Sequence, residues 1–314
     1  MTHVSGRKRG RALSRLTTAA IAVALVGATA GAAAADTPPP ASSPAAAAQQ
    51  AEKTAPQPKA APRALRSAEG PTAEAPRFPL ITADRDGVGY AYDQNHHGGF
   101  GDQRIIGFGW NNFTEATAVD HNRDGKWDAW YVRHSDGQLE YTGGGGSMLG
   151  GGWNIYDRFL SPGDLGGAGE SDLIARDKSG VLWIYLAHPD GTLSDRFRVG
   201  PGWDQYTDLA GRGDLNGDGK PDIVAKDKAG VLWFYKGTGD YKDPFESRVK
   251  VGGGWNAYDK LVSVGDMDDD GRSDMLARDK SGILWFYKGN GNATDPFENR
   301  TKIGGGWDQF VTMF

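Results

Sequence analysis

Gly213-Asp-Leu-Asn-Gly-Asp-Gly-Lys-Pro-Asp222 sets Asp or Asn at alternate positions of a glycine-rich loop, and Ile223-Val-Ala-Lys-Asp227 leaves it as a strand-like run. Fifty-two residues on, Gly265-Asp-Met-Asp-Asp-Asp-Gly-Arg-Ser-Asp274 is followed by Met275-Leu-Ala-Arg-Asp279. Each copy then gives Trp-Phe-Tyr (Trp233 to Tyr235, Trp285 to Tyr287), Asp-Pro-Phe-Glu (Asp243 to Glu246, Asp295 to Glu298) and Gly-Gly-Gly-Trp (Gly252 to Trp255, Gly304 to Trp307). Self-similarity at such a period marks a solenoid, a propeller or an array. Outward from these two copies, the closing tryptophan recurs at Trp110, Trp153, Trp203, Trp255 and Trp307, at intervals of 43, 50, 52 and 52 residues.

Each repeat holds four strand candidates, a to d, bounded by turn residues. Strand a runs into the carboxylate loop, b leaves it, c follows a tight glycine turn, and d leads to the tryptophan. The first repeat enters at a strand b, Leu80 to Asp84, with no strand a before it. The last stops at Phe310-Val-Thr-Met-Phe314, a strand a with nothing after it. Joined, the two fragments make a fifth sheet. Closing the ring removes the large open edge, and four-stranded units repeated radially make a propeller. A linear solenoid would want polar caps, which Phe310 to Phe314 is not. The expected fold is therefore all-β: a five-bladed β-propeller of four-stranded blades over residues 77–314, closed by the C-terminal strand.

Residues 1–35 read as a secretory signal: Arg7, Lys8, Arg9, Arg11 and Arg15, then an apolar run from Thr17 to Gly31, then the small residues Ala32 to Ala35. Residues 36–76 include nine prolines and no aromatic residue. Such a composition cannot bury enough apolar surface to offset the entropy of ordering, so a disordered linker is expected, either a spacer or a propeptide. Nothing downstream is long and apolar enough to span a bilayer. The chain of 314 residues carries a formal charge of −5, and loss of the five cations of the signal would leave −10. That balance argues against a nucleic-acid partner, which needs clustered Lys and Arg. With no cysteine, an exported chain must draw its stability from a packed core or bound metal rather than disulfides.

In the loops, Asp214, Asn216, Asp218 and Asp222 stand at positions 1, 3, 5 and 9, with Gly219 at position 6. Asp266, Asp268, Asp270 and Asp274 repeat the spacing around Gly271, and Asp120, Asn122, Asp124 and Asp128 repeat it around Gly125. Alternate side chains of a tight loop converge on one point. Hard oxygen ligands in that number suit Ca²⁺, with the backbone carbonyl at position 7 (Lys126, Lys220, Arg272) adding to the count. The same residue types make good turns without metal, but three copies in one register favour about three structural Ca²⁺ sites. The copy Gly163-Asp-Leu-Gly-Gly-Ala-Gly-Glu-Ser-Asp172 keeps Asp164 and Asp172 but has Gly166 and Ala168 at positions 3 and 5. It is expected to bind no metal well.

These loops resemble those of the FG-GAP or VCBS repeat family, secreted and cell-surface propellers whose Asp-x-Asp/Asn-x-Asp-Gly loops hold calcium. The repeat endings, such as Lys302-Ile-Gly-Gly-Gly-Trp-Asp-Gln-Phe310, are similar to those of tachylectin-2-type lectins. The second resemblance implies a five-bladed propeller that binds N-acetylglucosamine between blades.

Trp110, Trp153, Trp203, Trp255 and Trp307 border glycine loops and have polar neighbours such as Asn154, Asp204, Asn256 and Asp308. A flat indole with a polar neighbour suits the apolar face and hydroxyl rim of a sugar, and equally suits packing. Trp183, Trp233 and Trp285 lie in runs apolar on both faces and are expected in the core. Gly145-Gly-Ser-Met-Leu149 lacks the last glycine of a nucleophile elbow. No zinc-site spacing occurs, and the histidines are expected to be exposed in loops. The composite expectation is a secreted, calcium-binding, non-enzymatic lectin-like module whose partner is an extracellular glycan or cell-wall polysaccharide. A propeller that binds a secreted protein is the alternative. A hydrolase or lyase working in the central channel is favoured least, because repeat-equivalent positions carry no acid–base pair.

Overall fold

The computed structural model describes residues 75–314. The expected signal segment and residues 36–74 of the expected linker lie outside them. Twenty strands form five four-stranded antiparallel sheets. Blade 1 takes β1 (Leu80–Asp84), β2 (Val88–Gln94) and β3 (Phe100–Phe108), and blade 2 takes β4 (Phe113–Val119), β5 (Ala129–His134), β6 (Leu139–Tyr141) and β7 (Ser147–Gly150). Blade 3 consists of β8 (Tyr156–Gly163), β9 (Asp172–Asp177), β10 (Leu182–Tyr185) and β11 (Phe197–Gly200). Blade 4 has β12 (Tyr206–Ala210), β13 (Ile223–Asp227), β14 (Leu232–Tyr235) and β15 (Val249–Gly252). Blade 5 has β16 (Tyr258–Gly265), β17 (Asp274–Asp279), β18 (Leu284–Tyr287) and β19 (Thr301–Gly304), after which β20 (Phe310–Met313) returns to blade 1.

That return closes the ring as expected. β20 pairs antiparallel with β1, with Thr82 opposite Met313 and Ala83 opposite Thr312. Ile81 and Phe314 exchange backbone hydrogen bonds of 2.9 and 3.0 Å. The sequence places the starts of the a strands of blades 2 to 5 at Glu115, Arg158, Asp208 and Lys260; each begins two residues earlier, at Phe113, Tyr156, Tyr206 and Tyr258. A single 3₁₀ turn at each closing tryptophan ends on Tyr156, Tyr206 or Tyr258, which is already extended. The turn is entered through a left-handed glycine, Gly109, Gly152, Gly202, Gly254 or Gly306, at φ between 85° and 90°. A side chain there would be strained.

The closing tryptophans hold neighbouring blades together. Trp153 packs on Tyr185, Trp203 on Tyr235, Trp255 on Tyr287 and Trp307 on Tyr92, with ring centroids 4.7–4.9 Å apart. In each pair the tyrosine belongs to the next blade. Blade 2 has Thr142 at the tyrosine position, and Trp110 packs instead on Trp130, 5.8 Å away. The core is accordingly a set of clusters between blades rather than one central mass.

The first strand of every blade lines the channel, around a cavity of about 40 Å³. The third residue of these strands is Glu115, Arg158, Asp208, Lys260 and Thr312 in turn, so charge alternates around most of the ring. Arg158 pairs with Glu115 at 3.4 Å and with Asp208 at 3.1 Å. Burial, reinforced by the like charge of Arg158, holds Lys260 below the usual lysine range. At the loop-face end Arg212 is buried and donates to Ala118 O at 2.8 Å and Ser263 O at 3.2 Å. Its guanidinium lies 4.3 Å from the ring centroid of Phe78. The entering segment is fixed on the same face, because Asp266 N–H donates to Pro76 O and Arg77 N–H to Gly125 O, both at 2.7 Å.

Candidate metal-binding loops and blade clusters

Antiparallel order puts the a–b and c–d connections on one face and the b–c and d–a connections on the other. All carboxylate loops therefore share a face. Within each loop the position 1 carboxylate collects backbone N–H groups, from Asn216, Gly217 and Gly219 at Asp214, from Asp270 and Gly271 at Asp266, and from Asp124 and Gly125 at Asp120. The position 9 carboxylate ties the loop to the strand beside it. Asp222 accepts from Leu215 N and Gly237 N at 3.0 and 2.8 Å, and Asp274 accepts from Met267 N and Gly289 N at 2.7 Å each. Both are fully buried. Burial raises their carboxyls to about 7, against the pull of those N–H donors. Asp128 stays exposed and accepts from His121 N and Asn122 N.

A hard cation needs several oxygens at one point, and blade 5 supplies them. Asp266, Asp268 and Asp274 bring carboxylate oxygens within 4.8 Å of one another, the one such group of three among the described residues. Asp268 Oδ1 is buried without a hydrogen-bond partner. An orphaned acceptor beside two more carboxylates is a costly arrangement unless a cation completes it, so these residues fit Ca²⁺. The Lys288 ammonium sits against Asp268 and Asp270, at 2.5 and 3.0 Å, and supplies part of the missing charge. In blade 4 Lys236 stands 3.2 Å from Asp218. The position 7 residues Lys126, Lys220 and Arg272 donate their N–H groups to Asp124, Asp218 and Asp270 at 2.9–3.0 Å.

The degenerate loop of blade 3 is neutralised by its neighbour. Arg123, from the blade 2 loop, pairs with Asp164 through Nη2 and donates Nε to Gly169 O at 2.5 Å. A protein cation thus stands where the ligand set is incomplete. Burial raises Asp172 of this loop to about 8. Position 2, which sequence reading passed over, is a buried anchor: Leu165, Leu215 and Met267 are 0–2% exposed. Its signal was an apolar residue recurring between acids. Blade 2 has His121 there, half-buried beside Tyr141 and not exposed as expected; burial lowers its pKa.

The tryptophans separate into two groups: burial takes the packing side of the two roles left open for the first, and the second differs from expectation. Trp110, Trp153, Trp203, Trp255 and Trp307 are 3–8% exposed. Their ring faces are taken up by the next blade, so the open stacking surface expected for a sugar is not offered. Trp183, Trp233 and Trp285, expected in the core, are half-buried. Each lies under a guanidinium, Arg196, Arg248 or Arg300, 4.0–4.1 Å from the ring centroid.

Residues 214–277 match the model of the FG-GAP-like repeat family. No curated protein sequence matches the chain. Among solved structures, that of AofleA from Arthrobotrys oligospora is 10% identical, with a TM-score of 0.44 over 74% of this chain and 73% of that one. BBS1N in complex with ARL6DN is 10% identical with a TM-score of 0.40; the match covers 72% of this chain but only 63% of that one. The Dos1 propeller is 9% identical with a TM-score of 0.35, over 72% of this chain and 67% of that one. No helix among the described residues is long and apolar enough to cross a membrane.

Proposed function

We propose that this chain is a secreted, calcium-stabilised propeller acting as a non-enzymatic carbohydrate-binding module. The observation that carries this reading is repetition of like surface sites around one closed ring. On the b–c and d–a face, exposed Asn154, Asp204, Asn256 and Asp308 each stand beside a glycine entry turn. A ring of similar, shallow, polar sites suits a ligand that repeats its own units, where linked weak contacts give useful avidity.

Calcium would be held by Asp266, Asp268, Asp270 and Asp274 in blade 5, and by the matching oxygens Asp214, Asn216, Asp218 and Asp222, and Asp120, Asn122, Asp124 and Asp128. When bound it supplies charge that no backbone donor can. In blades 4 and 5 the protein's own contribution is to fix the loops from beneath through the buried position 2 and position 9 side chains, Leu215 with Asp222 and Met267 with Asp274. Export rests on the composition of residues 1–35.

The test is a glycan array and a chitin pull-down with the exported chain, residues 36–314, in Ca²⁺. Retention on one glycan class is expected; failure to bind any glycan overturns the carbohydrate reading. A second reading, protein binding, draws on exposed Ile105 and Phe108 of β3 and Met148 of β7, which are 56–62% accessible on the outer strands of blades 1 and 2. Co-purification of a partner from culture fluid, lost in a Phe108→Ser variant, would favour that reading.

A further inference from the structure

Blades 3, 4 and 5 build one cluster three times. The strand c tryptophans Trp183, Trp233 and Trp285 donate Nε1 to Asp177, Asp227 and Asp279 at 2.8–2.9 Å, which fixes each indole. Arg196, Arg248 and Arg300 then lie over the rings. Each donates Nη1 to a tyrosine hydroxyl, on Tyr156, Tyr206 and Tyr258 respectively. Those hydroxyls are themselves bonded to Tyr185, Tyr235 and Tyr287 at 2.5–2.6 Å. A guanidinium has five donors, so one held flat and tied through Nη1 retains donors for a ligand.

Two residues further along, on the outer strand directly opposite the tryptophan and so on the same face of the sheet, stands a second cation: Arg198, Lys250 or Lys302. Each is exposed and in register with the tryptophan. None of these three forms an ion pair among the described residues. The first cation alone covers the indole, and no side-chain hydrogen bond ties down the second among the described residues. Yet the pair recurs in three blades of a chain with 40 acidic and 35 basic residues. Blades 1 and 2 lack the cluster, with Ile105 and Met148 at the position of the second cation.

The geometry points to three equivalent receptors for the carboxylate groups of an acidic polysaccharide, with Arg196, Arg248 and Arg300 as the preorganised partners and Arg198, Lys250 and Lys302 as second cations. Planar guanidinium matches planar carboxylate in a bidentate way. A single exposed ion pair is weak, so a lone acid sugar would bind poorly. A polymer that repeats its charge could engage three adjacent blades at once. This inference rests on the carbohydrate reading and names the class of glycan.

The test measures binding of the exported chain to polygalacturonate, to the same polymer with its carboxyls reduced, to poly-glutamate and to chitin, at fixed Ca²⁺. Polygalacturonate should bind, and more weakly as salt rises. The Lys250→Gln/Lys302→Gln variant, which removes no ion pair or side-chain hydrogen bond seen among the described residues, should lose about tenfold in affinity, and Arg196→Gln/Arg248→Gln/Arg300→Gln about a hundredfold. Melting curves of both variants separate lost binding from lost folding. Equal binding of the carboxyl-reduced polymer, or of the lysine variant, overturns the proposal. Poly-glutamate bound as tightly, with the same sensitivity to the variants, overturns the choice of a polysaccharide. Chitin binding without polygalacturonate binding overturns this inference alone, as does binding of none of the four; a blank glycan array in addition overturns the carbohydrate reading with it.

Discussion

Burial pushes the Asp279 carboxyl up, but hydrogen bonds from Ser281, Trp285 and Ile283 outweigh it and hold it at about 2, below its ordinary 3.8. A folded value below the unfolded one gives stability that is present above pH ~4 and lost as pH falls toward ~2. Asp279→Asn should flatten that acid limb, read as melting temperature against pH. An unchanged limb would remove the Trp285 bond as its cause. Trp203 poses a different question, since burial assigns it to packing. Trp203→Ala should cost about 3–5 kcal/mol in urea unfolding. A variant that lost glycan binding at unchanged stability would return the indole to the ligand site. Sequence alone left the two roles of Trp203 open, because its fate depends on Tyr235, a residue of the next blade.

The elements that respond to metal are the a–b loops. A ligand bound only by the folded state raises its melting temperature, so Ca²⁺ should raise it and EDTA reverse the gain. Asp266→Ala with Asp268→Ala should reduce the response, because both belong to the carboxylate group of blade 5. Arg123→Gln should lower the melting temperature equally with and without Ca²⁺, since that guanidinium neutralises Asp164 with no metal involved. A melt unmoved by EDTA would reduce all these loops to turns. The ligand spacing was legible because it is local, four acidic or amide positions within nine residues. Arg123 was not, because it reaches across 41 residues to a loop that lacks its own ligands. The guanidinium–indole clusters fall between these cases. Arg196, Arg248 and Arg300 recur visibly, but nothing in a run of apolar residues says that the indole beneath them is only half covered.

At the scale of the molecule, the number of blades was legible from a deficit and a surplus: a first repeat without strand a and a last repeat that is only strand a. What the pattern could not show is how the ring is locked. Arg212 joins the ends of the a strands of blades 2 and 5, and Pro76 and Arg77 tie the entering chain to the loops. The described propeller is thus tied at its entering end by Pro76 and Arg77, and at its other end it depends on the closing strand β20. Deleting residues 310–314 would strip β1 of its partner and bare the inter-blade faces of Trp307 and Tyr90, whose contacts with Phe310 are 5.8 and 5.6 Å between centroids. The expected result is loss of the cooperative melt and aggregation through the open edge. Deleting residues 36–74 should leave the melting temperature unchanged. Adding back the Phe310–Phe314 peptide in excess should partly restore the first variant, because closure uses only β20 pairing and aromatic packing. Equal tolerance of both deletions would mean that blade 1 stands as a three-stranded sheet and that stability does not depend on the closed circle.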